Sequence, residues 1–156
     1  MIRPYKPGDK ESLLKIFGLN TPKYFDRNEL NEFKEYLEKK PGTYLTIEVD
    51  SNIVGGTGYY VNENDKSGRI TWILFDPGYA GQGLGKQSVE YCLKLLSKDD
   101  RVEKFIVRTS QLAYKFFEKF GYSINRIDKN YWGKGLDLYE MEKPINEHQE
   151  GKYSRY

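Results

Sequence analysis

The chain has 156 residues, 31% charged and 38% hydrophobic, with 25 Lys and Arg against 23 Asp and Glu and a formal net charge of +2. That length fits one domain with a sizeable core, and so small an excess of interspersed charge argues against nucleic acid as a partner. No run approaches a membrane span and the start shows no signal-peptide pattern, so cytoplasm is the expected compartment and no membrane the expected partner.

In chain order, residues 1–5 read as a short strand, and Pro7-Gly8-Asp9 as a turn whose Asp9 caps a helix over 10–17. A connector over 18–25 leads to Asp26, the expected cap of a second helix that runs to about Lys40 and ends at Pro41-Gly42. Leu30, Phe33 and Leu37 supply its apolar stripe, with Tyr36 beside it. Residues 43–49 and 53–61 form a hairpin about Asp50-Ser51-Asn52. Glycines 55, 56 and 58 in its second strand mark a bulge or a close approach by another group. After a polar turn over 62–68 comes the apolar run Ile70-Thr71-Trp72-Ile73-Leu74-Phe75, read as a buried strand ended by Pro77 and Gly78.

A helix over 82–98 follows, with Cys92 in its apolar pattern as a packed thiol. Then come a strand over 101–108 and a Ser/Thr-capped helix that stops at Gly121 and turns into a strand over 122–127. A loop over 130–135 and a last strand over 136–141 complete the main body, and a polar tail from Pro144 is expected to be loosely held. His148, the one histidine, makes a His-rich metal site or a Ser-His-Asp triad implausible, so no metal is expected.

Between the central strand and the long helix lies Gly81-Gln82-Gly83-Leu84-Gly85-Lys86. The first turn of a helix leaves N–H groups unpaired at the positive end of its dipole and attracts phosphate. Glycine opens the approach and admits the positive φ angles that aim several amides at one point. Spacing excludes two familiar cradles. Ala80 stands where a P-loop needs its first glycine, and Lys86 is followed by Gln87 rather than Ser or Thr. A dinucleotide fingerprint would place its third glycine one residue later.

What remains resembles the pyrophosphate loop of the GCN5-related N-acetyltransferases (GNAT), with Phe75, Pro77, Gly81, Gly83, Leu84 and Gly85 at the matching positions. Ala80 departs from the family's usual Arg or Gln. A second match, about 25 residues on, is carried by Ala113, Phe116, Lys119, Gly121 and Tyr122. The resemblance implies a single α/β domain over residues 1–143, with a mixed, mostly antiparallel central sheet flanked by about four helices, and a polar tail over 144–156. It implies acetyl transfer from acetyl-CoA to a primary amine of a small molecule or peptide, by direct attack in a ternary complex. The central strand would diverge from its neighbour, leaving backbone groups of Leu74 and Phe75 to bond the pantetheine and polarise the thioester carbonyl. Amides of Gly81, Gln82, Gly83, Leu84, Gly85 and Lys86 would hold the pyrophosphate. Ser110 stands where the family often has Asn against the cofactor arm, and Phe117 where it often has a Tyr acid. A homodimer is a further expectation of the resemblance alone.

An amine is protonated at neutral pH, so a base must free it before attack. The central strand carries no acid, which leaves Glu48, Glu63 and Asp76 as the candidates nearest in sequence. Tyr114, three residues before Phe117 and so on the same helix face, is the choice for protonating the leaving thiolate, with Tyr122 or water as alternatives. Tyr24, Phe25, Tyr59, Tyr60, Tyr131 and Trp132 fall in segments that could border the acceptor channel. Two other readings stay open: a catalytically weak or inactive acyl-CoA-binding sensor of the same fold, and an unrelated nucleotide-binding α/β domain.

Overall fold

The apolar run at residues 70–75 is the second part of a longer strand. The computed structural model describes residues 1–145. In order these form β1 (Ile2–Pro4), α1 (Lys10–Leu19), α2 (Glu29–Lys39), β2 (Tyr44–Val49), β3 (Asn52–Asn62), β4 (Ser67–Phe75), α3 (Leu84–Ser97), β5 (Lys104–Thr109), α4 (Tyr114–Glu118), β6 (Ser123–Gly133) and β7 (Leu136–Pro144). Short 3-10 turns occupy Pro7–Asp9 and Pro77–Tyr79. The strands form one sheet of order β1-β2-β3-β4-β5-β7-β6. Its β4–β5 pair is parallel, while β1–β2, β2–β3, β5–β7 and β6–β7 are antiparallel. This is the mixed, mostly antiparallel sheet with four helices that the sequence leads one to expect. The described residues divide into two units, 1–58 with 72–88 and 59–71 with 89–145.

In the first unit, Leu13, Ile16 and Phe17 of α1, Phe33 and Leu37 of α2, Tyr44 of β2 and Leu74 of β4 form one buried cluster. Leu30 does not belong to the buried stripe of α2: it is 41% exposed, whereas Glu29 is 6% exposed. Positions 29, 33 and 37 recur every four residues and face the core together, which turns Leu30 about 100° away. Asp9 is buried, but its carboxylate makes no side-chain cap to α1. It takes two bonds of 2.8 Å from Arg3, one of 2.8 Å from the Lys6 amide and one of 2.9 Å from the Thr46 hydroxyl. Burial opposes its charge, yet these donors hold Asp9 below the ordinary carboxylate pKa.

Trp72 in β4 has φ +47, the left-handed region, which costs a bulky residue about 1–3 kcal/mol. The surroundings hold it there. Tyr44 Oη donates to the Trp72 carbonyl at 2.8 Å, and the indole lies 5.1 Å from the Phe33 ring and 6.4 Å from that of Phe25. The glycines of β3 make room for this arrangement. A Cβ on Gly55 would stand 2.6 Å from the Leu74 carbonyl oxygen, and one on Gly56 would stand 2.5 Å from the Tyr44 hydroxyl.

In the second unit, the parallel register runs from Ser67↔Lys104 to Ile70↔Val107. Strand β4 begins before the expected Ile70. Ser67 and Gly68 are poor strand formers, but the ladder with β5 and a 2.7 Å ion pair between Arg69 and Asp65 override local preference. Val89, Cys92, Leu93 and Leu96 of α3 are buried, so Cys92 is the packed thiol expected. Helix α4 spans five residues, and Gly121 with φ +93 follows it as the stop. The expected loop over 130–135 is mostly strand, since β6 runs to Gly133 with Asn130 at φ +56, leaving Lys134-Gly135 as the turn. Strand β7 reaches Pro144, the expected start of the tail, and residues 146–156 of that tail lie outside the described residues.

The tight fit of Tyr44 against β3 predicts that Gly56→Ala lowers unfolding free energy by about 1–3 kcal/mol in urea titration. Gly8→Ala, whose new Cβ would meet nothing within 4 Å, is the matched control and should stay within about 0.5 kcal/mol.

Candidate active site

The glycine loop is reached through a sequence of fixed turns. The Asp76 amide donates to the Val54 carbonyl at 2.7 Å, and Asp76 Oδ1 accepts from the Gly78 amide at 2.9 Å. The Ala80 amide then closes on the Pro77 carbonyl at 3.2 Å. Gly81 and Gly83 follow with φ +84 and +76, a conformation that glycine adopts without strain. A Cβ added at either would meet nothing within 4 Å, so the space over the loop is open. The Gln87 amide bonds the Gly83 carbonyl at 3.1 Å, which makes Gly83 the cap position of α3. A glycine cap has no side chain to offer the amides that open the helix, and the helix dipole adds positive potential at that end. Gly81, Gln82, Gly83 and Lys86 are exposed, and Leu84 and Gly85 are half-buried.

Leu74 and Phe75 belong to the same unit as this loop. Leu74 is buried, and the Phe75 carbonyl accepts from Asn20 Nδ2 at 2.9 Å. The same amide donates to the Ile16 carbonyl at 2.9 Å, so Asn20 ties the end of α1 to the end of β4. Backbone freedom of Phe75 is therefore restricted on its carbonyl side. An Asn just after a helix gives no sign in sequence of a partner 55 residues away.

Ser110, Tyr114 and Phe117 share the other unit. Ser110 Oγ accepts from the Leu112 amide at 3.2 Å, and its carbonyl accepts from the amides of Ala113 and Tyr114, forming a turn ahead of α4; the cap position is Ala113, so the expected Ser/Thr side-chain cap is not made. Tyr114 is half-buried, its ring 4.9 Å from that of Tyr139 on β7. Phe117 is 2% exposed and packs against Phe116 and Tyr122, a core position. Among the aromatic residues singled out in the sequence, Phe25 stacks on Phe17 at 4.6 Å, and Tyr24 and Tyr60 are exposed. Tyr131 and Trp132 sit together at the end of β6, with rings 5.0 Å apart.

The three carboxylates suggested as bases all have structural partners. Glu48 takes 2.7 and 2.9 Å bonds from Arg3, Glu63 pairs with Arg101 at 3.2 Å, and Asp76 closes its own turn. Sequence reasoning passed over Glu29. Its Oε2 accepts from the Asp26 amide at 2.8 Å while Asp26 accepts from the Asn28 amide at 2.9 Å, a turn ahead of α2 whose cap position is Asn28, so the expected Asp26 side-chain cap is not made. The Asp-x-x-Glu spacing was the available signal. Burial, with the neighbouring charges of Glu32 and Asp26 added, pushes the Glu29 carboxyl up to about 7 although the Asp26 amide favours its ionised form. Among the described residues no group of three or more His, Cys, Asp or Glu is arranged to hold a metal, and no helix is long and apolar enough to cross a membrane.

A strand ending in a clamped turn thus runs through a positive-φ glycine loop into a helix whose cap is a glycine. The model of the acetyltransferase (GNAT) family matches residues 10–122, and the chain belongs to that family. It is an acyltransferase that moves an acetyl group from acetyl-CoA to an amine. Among curated proteins it is 24% identical over 148 residues to the N-terminal acetyltransferase B complex catalytic subunit NAA20 of Arabidopsis thaliana, covering 90% of this chain and 84% of that protein. The Escherichia coli ribosomal-protein-S18-alanine N-acetyltransferase superposes with TM-score 0.75 at 18% identity over 94% of each chain. An aminoglycoside 6'-N-acetyltransferase complexed with coenzyme A superposes with TM-score 0.73 at 16% identity, over 94% of this chain and 97% of that one.

Glu29 generates a pH prediction. Its folded pKa of about 7 lies above the ordinary 4.5, so the folded state binds the proton more tightly and stability falls as pH rises from about 4.5 to about 7. Glu29→Gln should equal the parent below pH 4.5 and exceed it by on the order of 2 kcal/mol at pH 8, in chemical denaturation at both pH values. Equal stability at pH 8 would contradict this account of Glu29.

Proposed function

We propose that this protein acetylates the N-terminal amine of a polypeptide in the cytosol, by direct attack of the free amine on acetyl-CoA in a ternary complex. The observation that carries the donor half is the open loop at Gly81 and Gly83, where the start of α3 can receive the pyrophosphate from Gly81 to Lys86. The acceptor half rests on NAA20, named an N-terminal acetyltransferase subunit and matched over most of both chains. Fold alone is neutral on this point, because the neighbour that binds coenzyme A acts on an aminoglycoside.

In this reading the Leu74 and Phe75 backbone guides the pantetheine, and Tyr114 protonates the departing thiolate. Ser110 and Phe117 border the cofactor arm by resemblance. The engagement of the Phe75 carbonyl by Asn20 puts more of the backbone contact on Leu74. With Glu48, Glu63 and Asp76 all in structural pairs, proton removal from the amine falls to solvent water. A homodimer is the assembly the resemblance favours. One observation supports a second reading, a sensor that binds acyl-CoA without turnover: Phe117 has no hydroxyl at the position where the family often has its acid.

Two outcomes follow. Gly83→Trp should remain folded by circular dichroism and lose the thermal shift that acetyl-CoA gives the parent, since the indole would fill the open space over the loop; an undiminished shift would count against the loop. Tyr114→Phe should lower kcat about tenfold with KM nearly unchanged, a modest loss because a thiolate of pKa about 8.5 leaves tolerably without an acid. No change in kcat would move the acid role to Tyr122 or water, and absence of thiol release with every amine in the parent would favour the sensor.

A further inference from the structure

Strand β5 runs parallel to β4, and in sheets with parallel strands ligands gather outside the carboxyl ends. The carboxyl end of β5 is Arg108-Thr109, and the tip of the β6–β7 hairpin is fastened beside it. Trp132 Nε1 donates to the Thr109 carbonyl at 3.0 Å, Gln111 Nε2 to the Gly135 carbonyl at 2.7 Å, and the Asp137 amide to Gln111 Oε1 at 2.9 Å. Within the hairpin, Asp137 accepts from the Asn130 amide at 2.8 Å and Asn130 Oδ1 from the Gly135 amide at 2.6 Å. These bonds hold Tyr131 and Trp132 in place against Arg108.

The guanidinium carbon of Arg108 lies 4.9 Å from the Tyr131 ring centre and 5.9 Å from that of Trp132, within cation–π range of both rings. Its electrostatic partner is a poor one. Glu140 Oε1 stands 3.7 Å from Arg108 Nε and 3.8 Å from Arg126 Nη2, both beyond hydrogen-bond length, so one carboxylate oxygen is shared by two guanidinium groups. Arg108 Nε is buried with no hydrogen-bond partner, although the side chain as a whole is 32% exposed. This cross-strand row of two arginines about Glu140 carries one excess positive charge, and Arg108, at its β5 end, lies against two rings with its donor fork only loosely engaged. The neighbouring Lys129–Asp137 pair, at 3.8 Å, is balanced.

We propose that Arg108 is a specificity-determining residue that receives a carboxylate of the acceptor. A carboxylate is planar, matches the guanidinium fork with two parallel hydrogen bonds, and neutralises the surplus charge of the row. The carboxylate is either an acidic side chain close to a peptide's amino terminus or the carboxyl group of a small amine. Both are the same chemistry at Arg108, and acceptor pairs that differ only in charge tell them apart.

The experiment compares kcat/KM for the peptides Ala-Glu-Gly-Gly and Ala-Gln-Gly-Gly, and for β-alanine and its amide, in the parent, Arg108→Gln and Arg108→Lys. A preference for the charged member of a pair of about tenfold, expressed mainly in KM, is expected in the parent, with an intermediate preference in Arg108→Lys and none in Arg108→Gln. A preference within the peptide pair identifies a side-chain carboxylate. Turnover of the small pair alone, with the charged member preferred and the preference lost in Arg108→Gln, supports the Arg108 assignment while rejecting the polypeptide acceptor. Equal rates for charged and neutral partners, or a preference that survives in Arg108→Gln, overturns the proposal. A binding readout independent of turnover accompanies it: titration with glutarate should shift the NMR signals of the Arg108 Nε–H and the Trp132 indole N–H. In Arg108→Gln the indole signal should stay still. If none of the four acceptors is acetylated, no shift in the parent overturns the proposal, and a shift lost in Arg108→Gln sustains it.

Discussion

The constraint on which the site depends is the left-handed residue at Trp72. An aromatic side chain at φ +47 is held in β4 only because Tyr44 bonds its carbonyl and the rings of Phe25, Phe33 and Tyr36 surround its indole. Gly56 is a glycine because Tyr44 passes where a Cβ would stand, and Gly55 because the Leu74 carbonyl and the Phe75 ring do. The last residues of β4 are then fixed from both sides of one peptide: the Phe75 carbonyl by Asn20 and the Asp76 amide by Val54. That rigid exit sets the direction in which the chain enters the glycine loop. Preorganisation of this kind lowers the ordering cost of binding a flexible, multiply charged cosubstrate.

Several arginines of the described residues are consumed by structure. Arg3 gathers Asp9 and Glu48, Arg101 gathers Asp99 and Glu63, and Arg69 takes Asp65. The glycine loop carries no acidic residue, so nothing there competes with a phosphate for the amides that open α3. Two buried or half-buried charges differ from these. Glu29 is buried against the Asp26 amide without a cation, and Arg108 shares a single distant carboxylate oxygen with Arg126. One carries a stability cost at alkaline pH, and the other is where an acceptor can be read.

The loop and the order of strands and helices were legible in the sequence because local rules govern them. Three glycines at alternate positions between an apolar run and an amphipathic helix need no tertiary information, and neither does the stop at Gly121. Missing from a local reading were the long-range polar bonds. Asn20 to Phe75 and Tyr44 to Trp72 join segments 55 and 28 residues apart, and neither donor differs in sequence from an ordinary surface or core residue. Leu30 was misread as core because hydrophobicity was weighed over angle, and the buried face selected Glu29 instead. Strand ends were misjudged at Ser67, Gly133 and Pro144, where pairing with a neighbour outweighs poor local propensity.

The central claim is that the loop from Gly81 to Lys86 holds the pyrophosphate of acetyl-CoA. Isothermal titration of the parent protein with acetyl-CoA, and in parallel with dephosphorylated pantetheine acetyl thioester lacking the nucleotide, tests it most directly. The account predicts one molecule of acetyl-CoA bound per chain, with affinity falling at least about tenfold for the truncated thioester because the phosphate contacts are lost. Equal affinity for the two, or no binding of either, would contradict it.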